Sequence, residues 1–176
     1  TLAWVVPENN NVVRIGLLAK NNPKALFNNF IKNKIKNNNI LEYQAGIVPI
    51  YNPKLKAQKS NIYLVGDAAA QVKATTGGGI IQGLTAAKAL SNAVTNNKSY
   101  DKEWRKLLAK DLWLHLVMRK ILDKFKEKDW DYLINICSKK SNKTLLENFD
   151  RDYPSKFLLK LLLNDPKLVY FAKFLL

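Results

Sequence analysis

The sequence predicts an α+β fold, and three stretches carry that prediction. Two short apolar runs at residues 3–7 and 12–17 flank a polar turn, which is the pattern of two antiparallel strands. The run at 62–65 predicts a buried strand, which leads through a loop to three glycines, 77–79, that open a helix. From residue 99 onward, charged and apolar residues recur at helical spacing. A chain of 176 residues can bury a sizeable core around these elements.

Helices are predicted on both sides of the central strand. Pro23 should begin a helix that ends near Lys36. Its inner face should consist of Ala25, Leu26, Phe30 and Ile31. The irregular stretch at 40–50 should be extended and lead towards the central strand.

The helix that follows the glycines should have an apolar inner face and end near Asn96 and Asn97. Residues of that face, at helical spacing, are Ile80, Leu84, Ala87, Leu90 and Val94. The next long helix should carry along one side Trp104, Leu107, Leu108, Asp111, Leu112 and His115. Breaks at 150–154 and 164–166 should divide a small helical cap at the end of the chain.

The stretch from residue 62 to residue 84 has the order of residues that builds a ligand site. Gly66 permits a sharp turn at the strand end, and the alanines after Asp67 keep side chains away from a bound molecule. The Asp67 carboxylate is an acceptor only, which suits a pair of sugar-like hydroxyl donors. The glycines allow a flat ligand to approach, and the amide groups that begin the next helix favour negative charge. Each signal alone also fits an ordinary turn, but together they favour a ligand site.

This stretch resembles the second flavin-binding motif of the geranylgeranyl reductase family, whose members use FAD to saturate isoprenoid double bonds, notably in archaeal membrane lipids. The matching residues are Val65-Gly66-Asp67-Ala68-Ala69 and Thr75-Thr76-Gly77-Gly78-Gly79-Ile80. The resemblance implies that Asp67 binds the ribitol of FAD. It also implies that Gly77, Gly78, Gly79 and Ile80 face the pyrophosphate and the pyrimidine edge of the flavin. The neighbouring Gly66, Ala68 and Thr76 would complete the cofactor-binding residues. The chain departs from the family where Ala74 replaces a proline and Ala70 replaces a glycine.

Two further segments resemble the family's lipid-binding region. Trp4, Pro7 and Gly16 match a segment of the sheet that lines the lipid pocket, and Gly46 and Pro49 match a segment that shapes the flavin pocket. A core tryptophan on an ordinary strand is the alternative interpretation of Trp4. The resemblance implies the C-terminal half of a PHBH-like FAD-binding fold. Residues 1–61 would belong to the substrate-binding domain, 62–98 would form the second FAD motif, and 99–176 the helical region.

The net charge of +15 would favour binding to anionic partners such as nucleic acid or an acidic membrane. The lysines are dispersed, however, and no basic cluster lies beside interleaved aromatic residues, which argues against nucleic acid. Peripheral contact with acidic lipid headgroups stays open, as does a merely solvated basic surface. The single cysteine, Cys137, should be a small core residue, and a reducing cytoplasm fits its isolation. His115, the single histidine, should form a structural hydrogen bond. No catalytic acid and no metal-binding spacing is recognisable.

The leading hypothesis is therefore a subunit or fragment of an FAD-dependent oxidoreductase, incomplete as a single chain, that reduces geranylgeranyl groups of ether-lipid precursors. The G-x-G-x-x-G fingerprint that binds the ADP part of FAD in a βαβ unit is not in the sequence, so we expect a separate chain or a missing segment to provide it. Two alternatives remain: a non-catalytic structural or lipid-binding partner, and a flavin monooxygenase of the same fold.

Overall fold

The computed structural model describes residues 2–34 and 39–175, and it confirms the α+β class. The chain forms two compact units, Thr1–Gly46 and Ile47–Leu176, which are considered separately below. The predicted functional division at residues 61 and 98 stays a prediction.

The first unit begins with the predicted hairpin. Strands β1 (Leu2–Pro7) and β2 (Val13–Leu18) pair antiparallel, with Trp4 directly opposite Gly16. The turn closes through the amides of Glu8 and Asn9, which both donate to the carbonyl of Val12. The hydrophobic pattern therefore predicted this hairpin correctly.

Helix α1 (Pro23–Lys34) begins at the predicted proline, whereas the predicted end near Lys36 lies outside the described residues. Its inner face is only partly the predicted one. Phe30 and Ile31 are half-buried, but Ala25 and Leu26 are exposed and Phe27 replaces them. Phe27, Phe30 and Ile31 are spaced three and four residues apart, which places them on a single side of the helix.

The second unit opens with an irregular segment and a small hairpin, in which β3 (Gln58–Lys59) pairs antiparallel with β4 (Ile62–Tyr63). The prediction of a buried strand over 62–65 is wrong. Tyr63 and Val65 pack against the core, but Ile62 and Leu64 are exposed. Successive side chains of an extended segment point to opposite faces, and only one face of this hairpin meets the core.

Two long antiparallel helices follow a short turn of 3₁₀ helix at Gly66–Ala69. Helix α2 (Ile80–Thr95) begins after the third glycine and ends at Asn96, as predicted; Asn97 then adopts a left-handed conformation with φ 50°. Helix α3 (Tyr100–Leu122) lies alongside α2. Its predicted inner side is confirmed except at Leu107, which is exposed.

The predicted inner face of α2 is wrong except at Leu90, which is half-buried and packs against the core. Ile80 is 81% exposed, Leu84 65% and Val94 59%. The buried face instead consists of Gln82, Ala86, Ala89 and Ala93. The three alanines belong to the same core cluster as four residues of α3, Tyr100, Trp104, Leu108 and Leu112. Large side chains on one helix leave room only for small ones on its neighbour, so the alanine face is the one that packs.

The rest of the second unit is helical. It contains α4 (Glu127–Cys137), α5 (Lys140–Glu147) and α6 (Leu158–Asn164), with 3₁₀ segments at Pro154–Lys156 and Pro166–Leu175. The predicted breaks at 150–154 and 164–166 are confirmed. A second core cluster joins Ile136, Leu161, Leu168 and Phe171. Among residues 2–34 and 39–175, no helix combines the length and apolar character that crossing a membrane requires.

Candidate functional site

The turn that follows β4 brings the backbone of the strand end against helix α2. Val65 is extended, and Gly66 then adopts a left-handed conformation with φ 65°, which glycine reaches without a Cβ penalty. A Cβ on Gly83 of α2 would lie 3.4 Å from the Cα of Gly66. Glycine at both positions therefore allows the 3₁₀ turn that carries Asp67 to lie directly on the second helix.

Asp67 reaches the N-terminus of α2. Its side chain is exposed, and a Cβ on Gly79 would lie only 2.7 Å from its Oδ1 atom. A side chain at position 79 would therefore displace the carboxylate. None of the ion pairs within residues 2–34 and 39–175 involves Asp67. The carboxylate is thus available to hydroxyl donors of a bound molecule.

The glycines form a tight turn before α2. Gly77 has φ 71°, its amide donates to the carbonyl of Lys73 at 2.8 Å, and the Lys73 amide donates to the carbonyl of Gly78 at 3.0 Å. Gly79 is the N-cap of the helix and has no side chain that could accept from the first-turn amides. The glycines are half-buried, while Thr76 and Ile80 are exposed, so the turn is partly accessible to solvent.

These features fit the part of FAD that the sequence predicts for this site. Because Gly79 has no Cβ, the Asp67 carboxylate lies directly against the start of α2, which brings an acceptor oxygen close to the first-turn amides. Sugar-like hydroxyls complement the oxygen, and an electron-rich ring edge or a phosphate complements the amides. Ala68, the remaining predicted ribitol contact, is exposed beside Asp67.

The two departures from the family motif lie on the inner side of the loop. Ala70 is buried and adopts a left-handed conformation with φ 51°, which costs a non-glycine residue about 1–2 kcal/mol. Glycine at that position, as in the family, would remove this strain. Ala74 is also buried, so its side chain packs inside the loop rather than facing the open side.

Sequence reasoning missed the polar residues that anchor this loop. Gln71 is fully buried; its Oε1 accepts from the amide of Gly66 at 2.7 Å, and its Nε2 donates to the hydroxyl of Tyr100 at 3.1 Å. This side chain therefore links the strand end to the start of α3. A glutamine among small apolar residues was the available signal, since such a residue needs partners when it is buried.

Two further links anchor the middle of the loop. The buried side chains of Lys73 and Asp152 form an ion pair, and Thr75 Oγ1 lies 2.8 Å from His115 Nδ1. Burial lowers the pKa of His115 below its ordinary value, with the charge of Lys73 adding to this; Asp111 and Asp152 act in the opposite direction. The structural hydrogen bond predicted for His115 is therefore present.

The five predicted substrate-binding residues are divided between the two units. Trp4 and Gly16 meet across the first hairpin, and a Cβ on Gly16 would lie 2.0 Å from Trp4 Cζ2, so the indole covers the glycine. Pro7 ends β1. Gly46 ends the first unit with open space around it, and Pro49 lies in the irregular start of the second unit. The assignment of Trp4, Pro7 and Gly16 to a lipid pocket, and of Gly46 and Pro49 to a segment that shapes the flavin pocket, stays a prediction.

Two other chemical features bear on the site. Cys137 is half-buried, and burial raises the pKa of its thiol, which disfavours the thiolate that a nucleophile needs. Within the described part of the chain, no three His, Cys, Asp or Glu side chains converge in a way that could hold a metal ion.

Comparison with known proteins defines the class to which this arrangement belongs. The family model described as lycopene cyclase protein matches residues 9–152, and the chain belongs to this family. The matched range includes the whole loop and its partners up to Asp152.

Several of the similar curated proteins are named reductases. The chain is 30% identical over 173 residues to digeranylgeranylglycerophospholipid reductase 2 of Methanothermobacter thermautotrophicus, covering 86% of this chain and 44% of the relative. It is 28% identical over 192 residues to digeranylgeranylglycerophospholipid reductase of Methanocaldococcus jannaschii, covering 98% of this chain and 47% of that relative. The resemblance to the geranylgeranyl reductase family is thereby confirmed.

The chain spans less than half the length of each of these two relatives. No solved structure matches it significantly.

Proposed function

We propose that this chain binds the ribitol and isoalloxazine portions of FAD in a reductase that saturates the double bonds of geranylgeranyl groups during archaeal ether-lipid synthesis. The observation that carries the proposal is the position of the exposed Asp67 carboxylate over Gly79, at the N-terminus of α2. The names of the relatives support the reaction and the substrate class.

In this proposal each group of the loop has a physical role. The Asp67 carboxylate accepts hydrogen bonds from ribitol hydroxyls, and the glycines 77–79 let the ligand approach the backbone. The amides at the start of α2 point towards the electron-rich edge of the ring, where they and the helix dipole stabilise negative charge. When bound, reduced FAD would supply a hydride to one carbon of the double bond, and the other carbon would have to gain a proton. The protein binds and orients both partners.

The remaining parts of the proposal concern regions beyond this site. We propose that the complete enzyme has a PHBH-like fold, and that residues outside the present sequence, on the same polypeptide or another, bind the ADP portion of FAD. The hairpin with Trp4 over Gly16 offers an aromatic and aliphatic surface suited to a polyisoprene chain. The net charge of +15 suits transient contact with anionic lipid surfaces from the cytoplasmic side.

The test is substitution of Asp67, with the exposed Asp131 of α4 as a matched control. The chain is purified together with a G-x-G-x-x-G portion taken from a relative, and FAD affinity is measured by the change in flavin fluorescence. Asp67→Ala should weaken FAD binding by roughly 10- to 100-fold, since hydrogen bonds to a charged group contribute about 1.5–3 kcal/mol each. Asp131→Ala should leave the affinity unchanged.

A change in the stability of the protein should not account for the loss of FAD affinity in Asp67→Ala. Asp67 is exposed and unpaired within the described residues, so its replacement should change the free energy of unfolding by less than about 0.5 kcal/mol. A wild-type complex that takes up no flavin would contradict the proposal and favour the structural or lipid-binding alternative.

A further inference from the structure

Lys73 contacts the glycine turn with both its backbone and its side chain. Its amide and carbonyl close the turn through Gly78 and Gly77. Its side chain is buried and runs beneath Gly78, where an added Cβ would lie 3.1 Å from Lys73 Cε and 3.4 Å from Lys73 Nζ. The position of Lys73 and the conformation of the glycine turn therefore depend on each other.

Asp152, the partner of Lys73, is 79 residues further along the chain. It lies in a turn whose shape is set by a hydrogen bond from its own amide to Asp150 Oδ1 at 2.9 Å. The turn is held against α3, because the amide of Ser155 donates to the buried Asp111 Oδ1 at 2.7 Å. These hydrogen bonds therefore hold Asp152 in a defined position next to α3.

A buried ion pair needs an explanation other than stability. The cost of removing both charges from water commonly equals or exceeds their mutual attraction, so apolar replacements are often as stable. An ion pair has preferred distances and angles, so this pair fixes the position of the Lys73 side chain relative to α3 and the 150–156 segment. Because the Lys73 side chain lies next to Gly78, the pair also fixes the position of the glycine turn. The side chains of Gln71 and Thr75, which flank Lys73 in the sequence, also form hydrogen bonds to α3. Of the three, Lys73 is the residue whose side chain lies next to Gly78.

We infer that Lys73 and Asp152 form a positioning pair that holds the glycine turn, residues 77–79, in the conformation that presents its backbone to the cofactor. The inference rests on the proposed function for what is bound, but the ordering of the turn can be measured without any ligand. It makes the segment around Asp152, remote in sequence from the flavin motif, a determinant of cofactor binding.

The experiment compares the double variant Lys73→Met, Asp152→Asn with the wild-type chain by hydrogen-exchange mass spectrometry. Removing both charges avoids leaving one of them buried without a partner, which could unfold the protein. Within residues 77–83, the hydrogen-bonded amides of Gly77 and Gly83 should exchange about tenfold faster in the double variant, as expected when a local contact that opposes opening is lost. Peptides from α4 and α5 should be unaffected.

A matched control uses the ion pair between Lys139 and Asp165, whose carboxylate is also buried but belongs to the C-terminal helices. The same chemical changes, Lys139→Met and Asp165→Asn, should leave exchange at residues 77–83 unchanged. Equal exchange at 77–83 in wild type and the Lys73, Asp152 variant would overturn the inference. So would faster exchange spread evenly over the whole chain, since that would indicate a general structural role.

A second measurement uses the FAD complex described above. Loosening the amides that face the electron-rich ring edge should weaken FAD affinity about tenfold and shift the reduction potential of the bound flavin to a more negative value. If wild type binds FAD and the variant matches it in affinity and potential, the inference fails. If wild type binds no FAD, the proposed function fails, and the exchange result alone decides whether the pair orders the turn.

Discussion

Two regions of the second unit are held in place by a different balance of polar and apolar contacts. The loop from Gly66 to Gly79 is anchored mainly by polar links from Gln71, Lys73 and Thr75. The C-terminal helices also contain buried polar links of Asn142 and Asp165, but they are anchored mainly by apolar packing around Phe171, whose ring stacks on Phe125 with centroids 4.9 Å apart.

The difference follows from what each region has to specify. Apolar packing is only weakly directional and tolerates repacking, so it stabilises a region without defining the position of one backbone group. Hydrogen bonds and ion pairs have preferred distances and angles, and a buried member left without a partner is costly. Polar anchoring is therefore suited to a loop whose backbone has to be presented to a ligand.

The largest expected effect comes from breaking the apolar region. Phe171→Ala should lower the free energy of unfolding by about 3–5 kcal/mol, because a buried ring is lost and a cavity remains. Chemical denaturation measures this loss. If the two regions are independent in the way described, hydrogen exchange at residues 77–83 should change no more than exchange elsewhere in the second unit; a preferential rise there would contradict the comparison.

A smaller effect is expected from removing one hydroxyl that anchors the loop. Tyr100→Phe leaves the Nε2 of Gln71 without its acceptor in a buried position, which should cost about 1–3 kcal/mol. Exchange should accelerate at the amide of Gly66 and in the loop more than in α5. Tyr132→Phe, a change of the same chemistry in the C-terminal cluster, is the control and should leave the loop unchanged.

The smallest expected effect is a dependence of the free energy of unfolding on pH that comes from His115, the partner of Thr75 in the loop. Because burial lowers the pKa of His115, the unfolded chain takes up a proton at a higher pH than the folded chain does. The contribution of neutral His115 to the free energy of unfolding is thus fully present above pH 6.5, the ordinary pKa of histidine. This contribution is lost as the pH falls from there towards the lowered pKa.

This pH dependence can be assigned to one residue, since His115 is the only histidine in the sequence. Unfolding measured between pH 7.5 and 5 should show stability falling with acid in wild type, and a flatter profile in His115→Gln over the same range, as the linkage relation requires. Identical slopes for the two proteins would show that His115 is not protected from protonation by the fold.

Much of the local structure was predictable because it depends on neighbouring residues. The presence of the first hairpin, the start of α1 at Pro23, the start of α2 after Gly79 and its C-cap at Asn96 all follow from turn and capping preferences. The membership of the family was likewise predictable, since the motif around Asp67 is contiguous.

The buried face of α2 was not predictable from its own residues. Hydrophobicity favoured Ile80, Leu84 and Val94, yet Ala86, Ala89 and Ala93 are buried because α3 presents large aromatic and leucine side chains. Which side of a helix packs depends on the shape of its neighbour, and this is not encoded in the helix alone.

The sequence by itself therefore determined the order of the elements, their boundaries at glycine, proline and asparagine, and the carboxylate and glycines of the candidate site. Only the tertiary structure decided how the loop is anchored. Lys73 meets Asp152 across 79 positions and Thr75 meets His115 across 40, and each pair depends on where other helices bring distant residues. Local preferences act over a few residues, whereas partners for buried polar groups are selected by the packed chain as a whole.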